Sequence, residues 1–368
     1  MADGLQRILL LDSELSFRGS SLLTLRLARG LERREFDTAL VCTGYSDLDE
    51  SLRKGVRLHI IPGLGLPVWG RLVLRTLYRD LKDQRPDIIH LQDPSMLAHG
   101  VRLARKLRRP LVISIGDPVE AASFTLSSPI PELKAILCVS ESVLRNIAEC
   151  PFVGPIEKRV VLPGVQVVPM SERMQPLDEA RPPVVGMAGP LEIVKGAAFF
   201  LRACHRVVES GHDIRIVIAG SGPEERSLRQ LASSLDLSRR LTFVDGGVSM
   251  MGYLSAIDIF CLPSLQQGLG VMLLEAMALG RPVIASGVGG VVNVVEDRVT
   301  GMIVPPSDSR SLADRIIELL TNRELARSMA LAGQKMIDER FNEDRMLNEV
   351  IAIYREVQGS IPQTQKEP

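Results

Sequence analysis

Residues 263–283 read PSLQQGLGVMLLEAMALGRPV and predict the end of a strand, a glycine-bearing turn and an apolar helix that ends at Gly280. Gly268 and Gly270 allow the backbone to approach a ligand closely, and the first amides of the helix face the same place. Such a helix N-terminus suits a phosphate group. Glu275 lies roughly 10 Å further along the helix axis, where a carboxylate can hold a pair of ribose hydroxyls. The alternative interpretation is a buried crossover helix with one hydrogen-bonded glutamate.

Short apolar runs alternate with helical patterns along the whole chain, which is typical of βαβ units and parallel sheets. A chain of 368 residues exceeds what one hydrophobic core usually serves, so we expect two domains. The predicted fold class is α/β, with two Rossmann-like doubly wound domains that face a central cleft. The expected order is an N-terminal domain over 1–165, a linker over 166–183, a second domain over 184–340, a helix over 341–358 that crosses back to the first domain, and a disordered tail over 359–368.

Several individual elements follow from the same alternation. Strands are predicted at Leu111–Ile115 and Val184–Ala188, and a helix at Ala197–Glu209. The apolar run at 160–162 predicts the last strand of the first domain.

Composition and charge exclude several classes of function. The formal net charge is zero, with 44 basic and 44 acidic residues, and aromatic residues make up only 4%. This balance argues against a nucleic-acid partner. The N-terminus lacks a signal-peptide pattern and no apolar run reaches about 18 residues, so the cytoplasm is the expected location.

The cysteines predict free thiols rather than disulfides or a metal site. They are odd in number and widely spaced, which favours a reducing compartment. No C-x-x-C pair occurs and the histidines are scattered, so we expect no dedicated metal site. No cofactor is expected either. The five are Cys42, Cys138, Cys150, Cys204 and Cys261.

Basic residues cluster on two predicted helices of the first half. They indicate either peripheral contact with a membrane surface or a solvated helix face. The clusters are Arg71, Arg75, Arg79 and Lys82, and then Arg102, Arg105, Lys106, Arg108 and Arg109.

Three further glycine-bearing turns follow predicted strands of the second half. The first holds Gly189 and leads to Lys195, whose ammonium can point at a diphosphate, although a lysine before a helix is more often in a solvated turn. The second holds Gly220 and Gly222, and the third is 287–290. Together with the turn at Gly268, they predict a ligand site at one edge of one parallel sheet.

The segment 184–354 resembles the donor-binding half of the GT-B glycosyltransferases of family 4, which are retaining nucleotide-sugar transferases. Several motifs carry this resemblance in order. They are Lys195-Gly196, Gly220-Ser221-Gly222-Pro223, Ala256-Ile257-Asp258, Glu275-Ala276-Met277-Ala278, Gly289-Gly290, Thr300-Gly301 and Val304-Pro305-Pro306 with Asp308. The first half resembles the acceptor-side domain more loosely, through Gly19 in a loop before a helix, Pro86-Asp87-Ile88-Ile89-His90 and Val139-Ser140-Glu141.

The resemblance implies a role for each site residue. Lys195 is expected to neutralise the leaving diphosphate, and Glu275 to hold the ribose hydroxyls. The amides around Gly268, Leu269 and Gly270 are expected to cradle the distal phosphate. Donor binding would also use Gly189, Gly220 and Gly222, and the acceptor-side loop would include Gly19 and Ser20.

The resemblance also implies the reaction. A nucleotide-sugar donor would transfer its sugar with retention and without metal to an acceptor that is a glycan, a lipid-linked molecule or a small molecule. The departing phosphate would draw the acceptor proton. Electrostatic stabilisation of this leaving group would supply most of the catalysis.

Three positions depart from the family pattern. Pro190 stands where an arginine is usual, and Gln267 replaces the first carboxylate of a glutamate pair, eight residues before Glu275. Gly116 stands where a strand commonly ends in histidine, and the neighbouring Asp117 is a candidate replacement. Gln267 keeps hydrogen-bonding capacity toward a sugar hydroxyl but removes a negative charge.

These departures leave two hypotheses open. The chain is an active glycosyltransferase, or it is a catalytically degenerate member that binds nucleotide sugars or serves as a scaffold. A nucleotide-sugar epimerase of the same architecture is a third and weaker alternative, because it does not ordinarily need the spacing from Gln267 to Glu275.

Overall fold

The structure is a computed structural model, and it describes residues 7–16, 19–46, 53–64, 69–81, 85–167, 177, 181–244 and 250–359. The chain divides into two compact units. The first consists mainly of Ser20–Gly164 with the C-terminal segment from Glu343, and the second mainly of Val165–Asn342. Most of the predicted linker over 166–183 and of the predicted tail over 359–368 lies outside the described residues.

The first unit is built on a parallel sheet. Within its described residues, seven strands pair in the order β5-β3-β1-β6-β7-β8-β9, and β2 pairs separately with β4. The order reverses between β1 and β6, as in doubly wound domains. The strands are β1 (Arg7–Leu11), β2 (Glu14–Leu15), β3 (Asp37–Cys42), β4 (Gly44–Tyr45), β5 (Leu58–Ile60), β6 (Ile88–Leu91), β7 (Leu111–Ile115), β8 (Leu133–Cys138) and β9 (Glu157–Val160).

The second unit has its own parallel sheet. Its described strands pair in the order β12-β11-β10-β13-β14-β15, so the reversal lies between β10 and β13. This is the strand order of a dinucleotide-binding domain, in which ligands bind at the carboxyl ends of the strands beside the reversal. The strands are β10 (Val184–Ala188), β11 (Arg215–Ala219), β12 (Leu241–Val244), β13 (Ile259–Leu262), β14 (Val283–Ser286) and β15 (Met302–Val304).

Helices connect the strands of both sheets. In the first unit they are α1 (Gly19–Arg33), α2 (Trp69–Leu81), α3 (Leu97–Leu107), α4 (Pro118–Ser123) and α5 (Glu141–Ala148). The second unit has α6 (Ala197–Glu209), α7 (Glu225–Ser234), α8 (Met250–Ala256), α9 (Val271–Ala278), α10 (Ser309–Thr321) and α11 (Arg323–Arg340), and the last helix is α12 (Glu343–Gly359).

The C-terminal helix α12 packs on the first unit although it follows the second in sequence. Leu347 and Tyr354 are buried in the same hydrophobic cluster as Ile8 and Leu40. The fully buried His90 of β6 reaches the helix as well, because its Nδ1 lies 2.6 Å from the Tyr354 hydroxyl. The core of the first unit is therefore closed by a helix from the end of the chain.

Two doubly wound α/β units with parallel sheets confirm the predicted fold class. The predicted elements at Leu111–Ile115, Val184–Ala188 and Ala197–Glu209 have those bounds in the structure. The strand predicted at 160–162 is wrong, because the strand there is Glu157–Val160. Among the described strands it pairs with β8 alone, so backbone pairing rather than the apolar run sets its bounds. All five cysteines are free and only Cys150 is not fully buried, as predicted.

Candidate functional site

The glycine-bearing turns of the second unit meet at one edge of its sheet. They follow β10, β11, β13 and β14, which are neighbouring parallel strands, so their carboxyl ends lie side by side. The reversal between β10 and β13 is where an open α/β sheet binds its ligands. The structure therefore brings together the predicted site residues of the second unit.

The glycines of these turns let loops pack directly against one another. A Cβ at Gly220 would lie 2.0 Å from the Gly189 carbonyl oxygen, and one at Gly289 would lie 1.8 Å from that of Gln267. Gly290 N donates to Gly268 O at 3.0 Å, which ties the turn after β14 to the turn after β13. Much of the close backbone contact that these glycines permit is therefore contact between neighbouring loops.

The N-terminus of α9 lies at the same sheet edge as these turns. Gly270 precedes the helix in the left-handed conformation, with φ 84° and ψ 66°, which a residue with a side chain adopts only at a cost. The Leu273 amide donates to the Gly270 carbonyl at 2.9 Å, so the amides of Val271 and Met272 are the ones that precede the first hydrogen bond of the helix. They are therefore available to an anion at the same edge as the turns.

Glu275 lies on the same helix and is only 4% exposed. Every residue of α9 is buried, so the helix is apolar around its whole circumference apart from this carboxylate. Carboxylates are seldom buried unless they have partners or bind a ligand. Its placement fits the predicted contact with ribose hydroxyls, which stays a prediction.

Lys195 and Gln267 are in direct contact although 72 residues separate them in sequence. Lys195 ends a short 3₁₀ turn, Ile193–Lys195, and Gly196 follows in the left-handed conformation. Lys195 Nζ donates to Gln267 Oε1 at 3.2 Å, and the buried hydroxyl of Ser264 donates to the same oxygen at 3.1 Å. The oxygen of Gln267 is therefore held from two sides.

In the first unit, Asp117 caps helix α4 and Glu120 occupies the space beside Gly116. Asp117 Oδ1 accepts from the Glu120 amide at 2.8 Å. Glu120 Oε2 accepts from the Gly116 amide at 2.7 Å, and a Cβ at residue 116 would lie 3.3 Å from that oxygen. Burial raises the pKa of Glu120 to about 7, and the charges of Asp117 and Asp93 add to the shift.

Sequence reasoning missed Glu120, although the pattern Asp-Pro-x-Glu was visible. An acid three residues after a capping residue commonly closes the first turn of a helix. The pattern therefore predicts a helix cap. Only the structure shows that the Glu120 carboxyl group lies beside Gly116, next to where a side chain at residue 116 would begin. The role predicted for Asp117 stays a prediction.

A second missed acid, Asp12, follows β1 where the order of the first sheet reverses. It is 6% exposed and accepts hydrogen bonds from the Thr24 hydroxyl and the Ser13 amide, each at 2.8 Å. Burial raises the pKa of Asp12 to about 7, and the charge of Asp93 contributes. The signal in the sequence was a charged residue directly after a buried strand.

The predicted acceptor-side loop at Gly19 and Ser20 is wrong as a loop. Both residues belong to the first turn of α1, which spans Gly19–Arg33. The Ser21 hydroxyl accepts from the Ser16 amide at 3.0 Å and so fixes the start of the helix. The polar composition of these residues, which suggested a loop, is also usual in the first turn of a helix.

The first basic cluster lies on α2 except for Lys82, which is outside the described residues, and the second lies on α3 except for Arg108 and Arg109, which follow the helix. The helices α2 and α3 pack against each other. Lys106 lies over the ring of Tyr78 at 3.9 Å. The side chains of Arg71 and Lys82 lie outside the described ones. In the described part of the chain, no helix is both long and apolar enough to cross a membrane. Exposed basic residues here include Arg75, Arg79, Arg102, Arg105, Lys106 and Arg108.

Among the residues that the structure describes, no group of three or more histidine, cysteine, aspartate or glutamate side chains is arranged to hold a metal ion. The independence from metal remains a prediction.

Two family models match consecutive parts of the chain. The model described as Glycosyltransferase Family 4 matches residues 17–167, and the one described as Glycosyl transferases group 1 matches residues 171–336. The chain belongs to the GT-B glycosyltransferases of family 4. The second match contains Lys195, Gln267 and Glu275, so the sheet edge described above is the corresponding part of a family-4 glycosyltransferase.

Curated relatives of this family-4 glycosyltransferase differ in how much they share with it. An uncharacterised glycosyltransferase of Methanocaldococcus jannaschii is 24% identical over 363 residues, covering 89% of this chain and 92% of the relative. The alpha-D-kanosaminyltransferase of Streptomyces kanamyceticus is 31% identical over 178 residues, covering 48% of this chain and 46% of that relative. The D-inositol 3-phosphate glycosyltransferase of Saccharomonospora viridis is 29% identical, covering 56% and 52%. The chain thus matches about half the length of the last two.

Solved structures share the fold over nearly the whole chain. Anabaena HepE in complex with UDP-glucose superposes with a TM-score of 0.77 at 18% identity, covering 95% of this chain and 99% of that one. A glycosyltransferase from Rickettsia africae gives the same TM-score at 17% identity, covering 97% and 100%. At these identities the likeness shows the fold of the family-4 glycosyltransferase.

Proposed function

We propose that this chain transfers a sugar from a nucleotide-sugar donor to an acceptor hydroxyl, with retention and without a metal ion. One observation carries the proposal: a cation, a helix N-terminus and a buried carboxylate occupy one edge of one sheet. These are Lys195, the first turn of α9 and Glu275. They match the three parts of a nucleoside diphosphate donor, namely two phosphates and a ribose.

Each group has a distinct part in the proposed reaction. The amides at the start of α9 hold the distal phosphate, and Lys195 stabilises the negative charge that develops as the bond to the sugar breaks. Glu275 fixes the ribose and thereby orients the donor. The leaving phosphate then takes the proton of the acceptor hydroxyl that attacks from the same face of the sugar.

Relatives support the donor class but leave its base open. The HepE complex contains UDP-glucose. A Corynebacterium glutamicum relative, 33% identical and covering 45% of each chain, is named a GDP-mannose-dependent mannosyltransferase. Both names describe nucleoside diphosphate sugars, so this class is proposed for the present chain, with the acceptor unassigned.

The test is calorimetric titration of the full chain with UDP, GDP and ADP, repeated on Glu275→Gln. Binding of one nucleotide is expected, and the variant should bind it about 10- to 100-fold more weakly, because a charge-assisted hydrogen bond is worth about 1.5–3 kcal/mol. Glu296→Gln is the matched control, since Glu296 is exposed. Failure to bind any of the three, or undiminished binding by Glu275→Gln, would contradict the proposal.

A binding or scaffold protein is the second candidate, and Pro190, Gln267 and Gly116 favour it because all three departures fall at positions of chemistry. Hydrolysis of UDP-glucose and GDP-mannose without an acceptor separates the two candidates. Cleavage of the bond between the nucleotide and its sugar would support the active glycosyltransferase. Tight nucleotide binding without hydrolysis, and without transfer to a panel of acceptors, supports the scaffold.

A further inference from the structure

A chain of hydrogen bonds in the second unit runs from Ser264 through Gln267 to Lys195. Lys195 Nζ can only donate, so the Gln267 atom that lies 3.2 Å from it is the amide oxygen. The Ser264 hydroxyl donates to this same oxygen at 3.1 Å. The amide oxygen of Gln267 therefore has a fixed direction, set by a partner on each side.

Ser264 is the rigid end of this chain of hydrogen bonds, because its side chain is fully buried. The backbone next to it is also held in place. The Leu265 amide donates to the Val194 carbonyl at 2.8 Å, and a Cβ at Gly196 would lie 2.0 Å from the Pro263 carbonyl oxygen. The turn that contains Ser264 is therefore packed directly against the 3₁₀ turn that precedes α6.

Lys195 is the flexible end, because its ammonium is carried on a four-carbon stem with many rotamers. Ordering such a side chain when a ligand binds costs conformational entropy. An acceptor that already holds the ammonium in the free protein reduces this cost, as preorganisation does in general. The ammonium has three protons to donate, so it can bind the Gln267 oxygen and an anion at the same time.

The held ammonium lies close to the N-terminus of α9. A Cβ at Gly270, the residue before this helix, would lie 3.8 Å from Gln267 Cγ. A Cβ at Gly189, in the turn after β10, would lie 4.0 Å from the sulfur of Met272 in the first turn of the helix. The contact between Lys195 and Gln267 therefore belongs to the same part of the sheet edge as the first amides of α9.

We propose that Ser264 is a positioning residue that acts on the Lys195 ammonium through Gln267. The Ser264 hydroxyl fixes the amide oxygen of Gln267, and this oxygen holds the ammonium where the diphosphate of the donor binds. Ser264 needs no contact with the donor for this role. The inference rests on the proposed function, because it assumes that a nucleoside diphosphate binds beside Lys195.

The test is a double-mutant cycle in calorimetry, with the nucleoside diphosphate that the wild type binds. Ser264→Ala should bind it about 5-fold more weakly, which corresponds to about 1 kcal/mol and is usual for one neutral hydrogen bond. Lys195→Gln should bind at least about 10-fold more weakly, because a charge-assisted contact is lost. Adding Ser264→Ala to Lys195→Gln should change the affinity by less than about 2-fold, since no ammonium is left to position.

Two controls separate positioning from structural damage. The matching nucleoside, which carries no phosphate, should bind Ser264→Ala as it binds the wild type, whereas a distorted site would lose both ligands. Ligand-observed NMR measures those affinities that are too weak for calorimetry. Ser255→Ala makes the same change at a half-buried serine that precedes the start of β13, at the opposite edge of the sheet, and should leave the affinity unchanged.

Thermal melting checks that each variant is folded. If Ser264→Ala does not fold, Gln267→Met takes its place in the cycle, because it removes the shared acceptor at a half-exposed position. Gln267→Met should weaken binding of the nucleoside diphosphate by at least about 5-fold, and this loss should also shrink when Lys195 is already replaced.

The outcomes distinguish the two proposals. If the wild type binds none of UDP, GDP and ADP, the proposed function fails and the inference fails with it. If the wild type binds one of them, three results overturn the inference alone. These are undiminished binding of the nucleoside diphosphate by the serine variant or its substitute, the same loss in the presence and absence of Lys195, and an equal loss of the nucleoside.

Discussion

The buried histidine of the first unit predicts how stability depends on pH. His90 is fully buried, its Nδ1 lies 2.6 Å from the Tyr354 hydroxyl and its Nε2 lies 2.8 Å from the Ser114 hydroxyl. Two hydroxyls can satisfy a neutral imidazole, which has one donor and one acceptor. Burial lowers the pKa of His90 to about 3, from 6.5 for an exposed histidine.

The sign follows from proton binding. Between pH 6.5 and pH 3 the unfolded chain binds a proton at residue 90 that the folded chain does not. The free energy of unfolding therefore falls as pH falls through this range, by about 1.4 kcal/mol per pH unit. From pH 7 to pH 5 the loss attributable to His90 is about 2 kcal/mol.

The assay is urea unfolding at pH 7 and pH 5 of the wild type and His90→Gln, which keeps a donor and an acceptor but does not titrate. Far-UV circular dichroism follows the unfolding. The wild type should lose about 2 kcal/mol more than the variant between the two pH values. Comparing the two proteins cancels the contributions of other groups.

His59→Gln is the control, because it makes the same replacement at an exposed histidine. If the wild type and His90→Gln lose the same free energy of unfolding on acidification, the assignment of a neutral, buried imidazole is refuted. A control that behaves like His90→Gln would refute it equally, because the effect would then not depend on burial.

Other features of the structure yield further predictions. Gly220→Ala should lower the melting temperature more than Gly211→Ala, because both glycines have positive φ, at 135° and 88°, but only Gly220 meets a backbone oxygen, 2.0 Å from the added Cβ. Thermal denaturation checks this, and equal losses would contradict the packing argument. Since burial raises the pKa of Glu120 to about 7, its carboxyl holds a proton in the folded state between pH 4.5 and pH 7, and stability should decline as pH rises through this range. Infrared spectra should show a carboxylic acid near neutral pH that Glu120→Gln removes, and an unchanged spectrum would count against it. If the exposed face of α3 contacts membranes, the wild type should sediment with anionic vesicles, and the double variant Arg102→Gln with Lys106→Gln should sediment less. If this face is only solvated, neither protein should sediment with the vesicles.

Sequence patterns correctly predicted the elements whose ends are set by residues close to them in the sequence. The helix Ala197–Glu209 begins after the left-handed Gly196, and its bounds were predicted from the sequence. The helix Arg323–Arg340 was missed because its buried face includes Ala326, Ala330, Gly333 and Gln334, which give little apolar contrast. A small or polar residue becomes part of a core only when a partner surface approaches it closely.

The sequence by itself determined the two α/β units and the order of the glycine turns, and it predicts the site residues of the second unit. These properties follow from periodicity, from glycine geometry and from chemistry that each residue carries along the chain. Tertiary structure alone decided that Lys195 meets Gln267, that the carboxyl of Glu120 fills the place beside Gly116, and that α12 closes the core of the first unit. The physical reason is that hydrogen bonds and burial depend on which segments, distant in sequence, the sheet order places side by side. Residue types alone do not encode those distances.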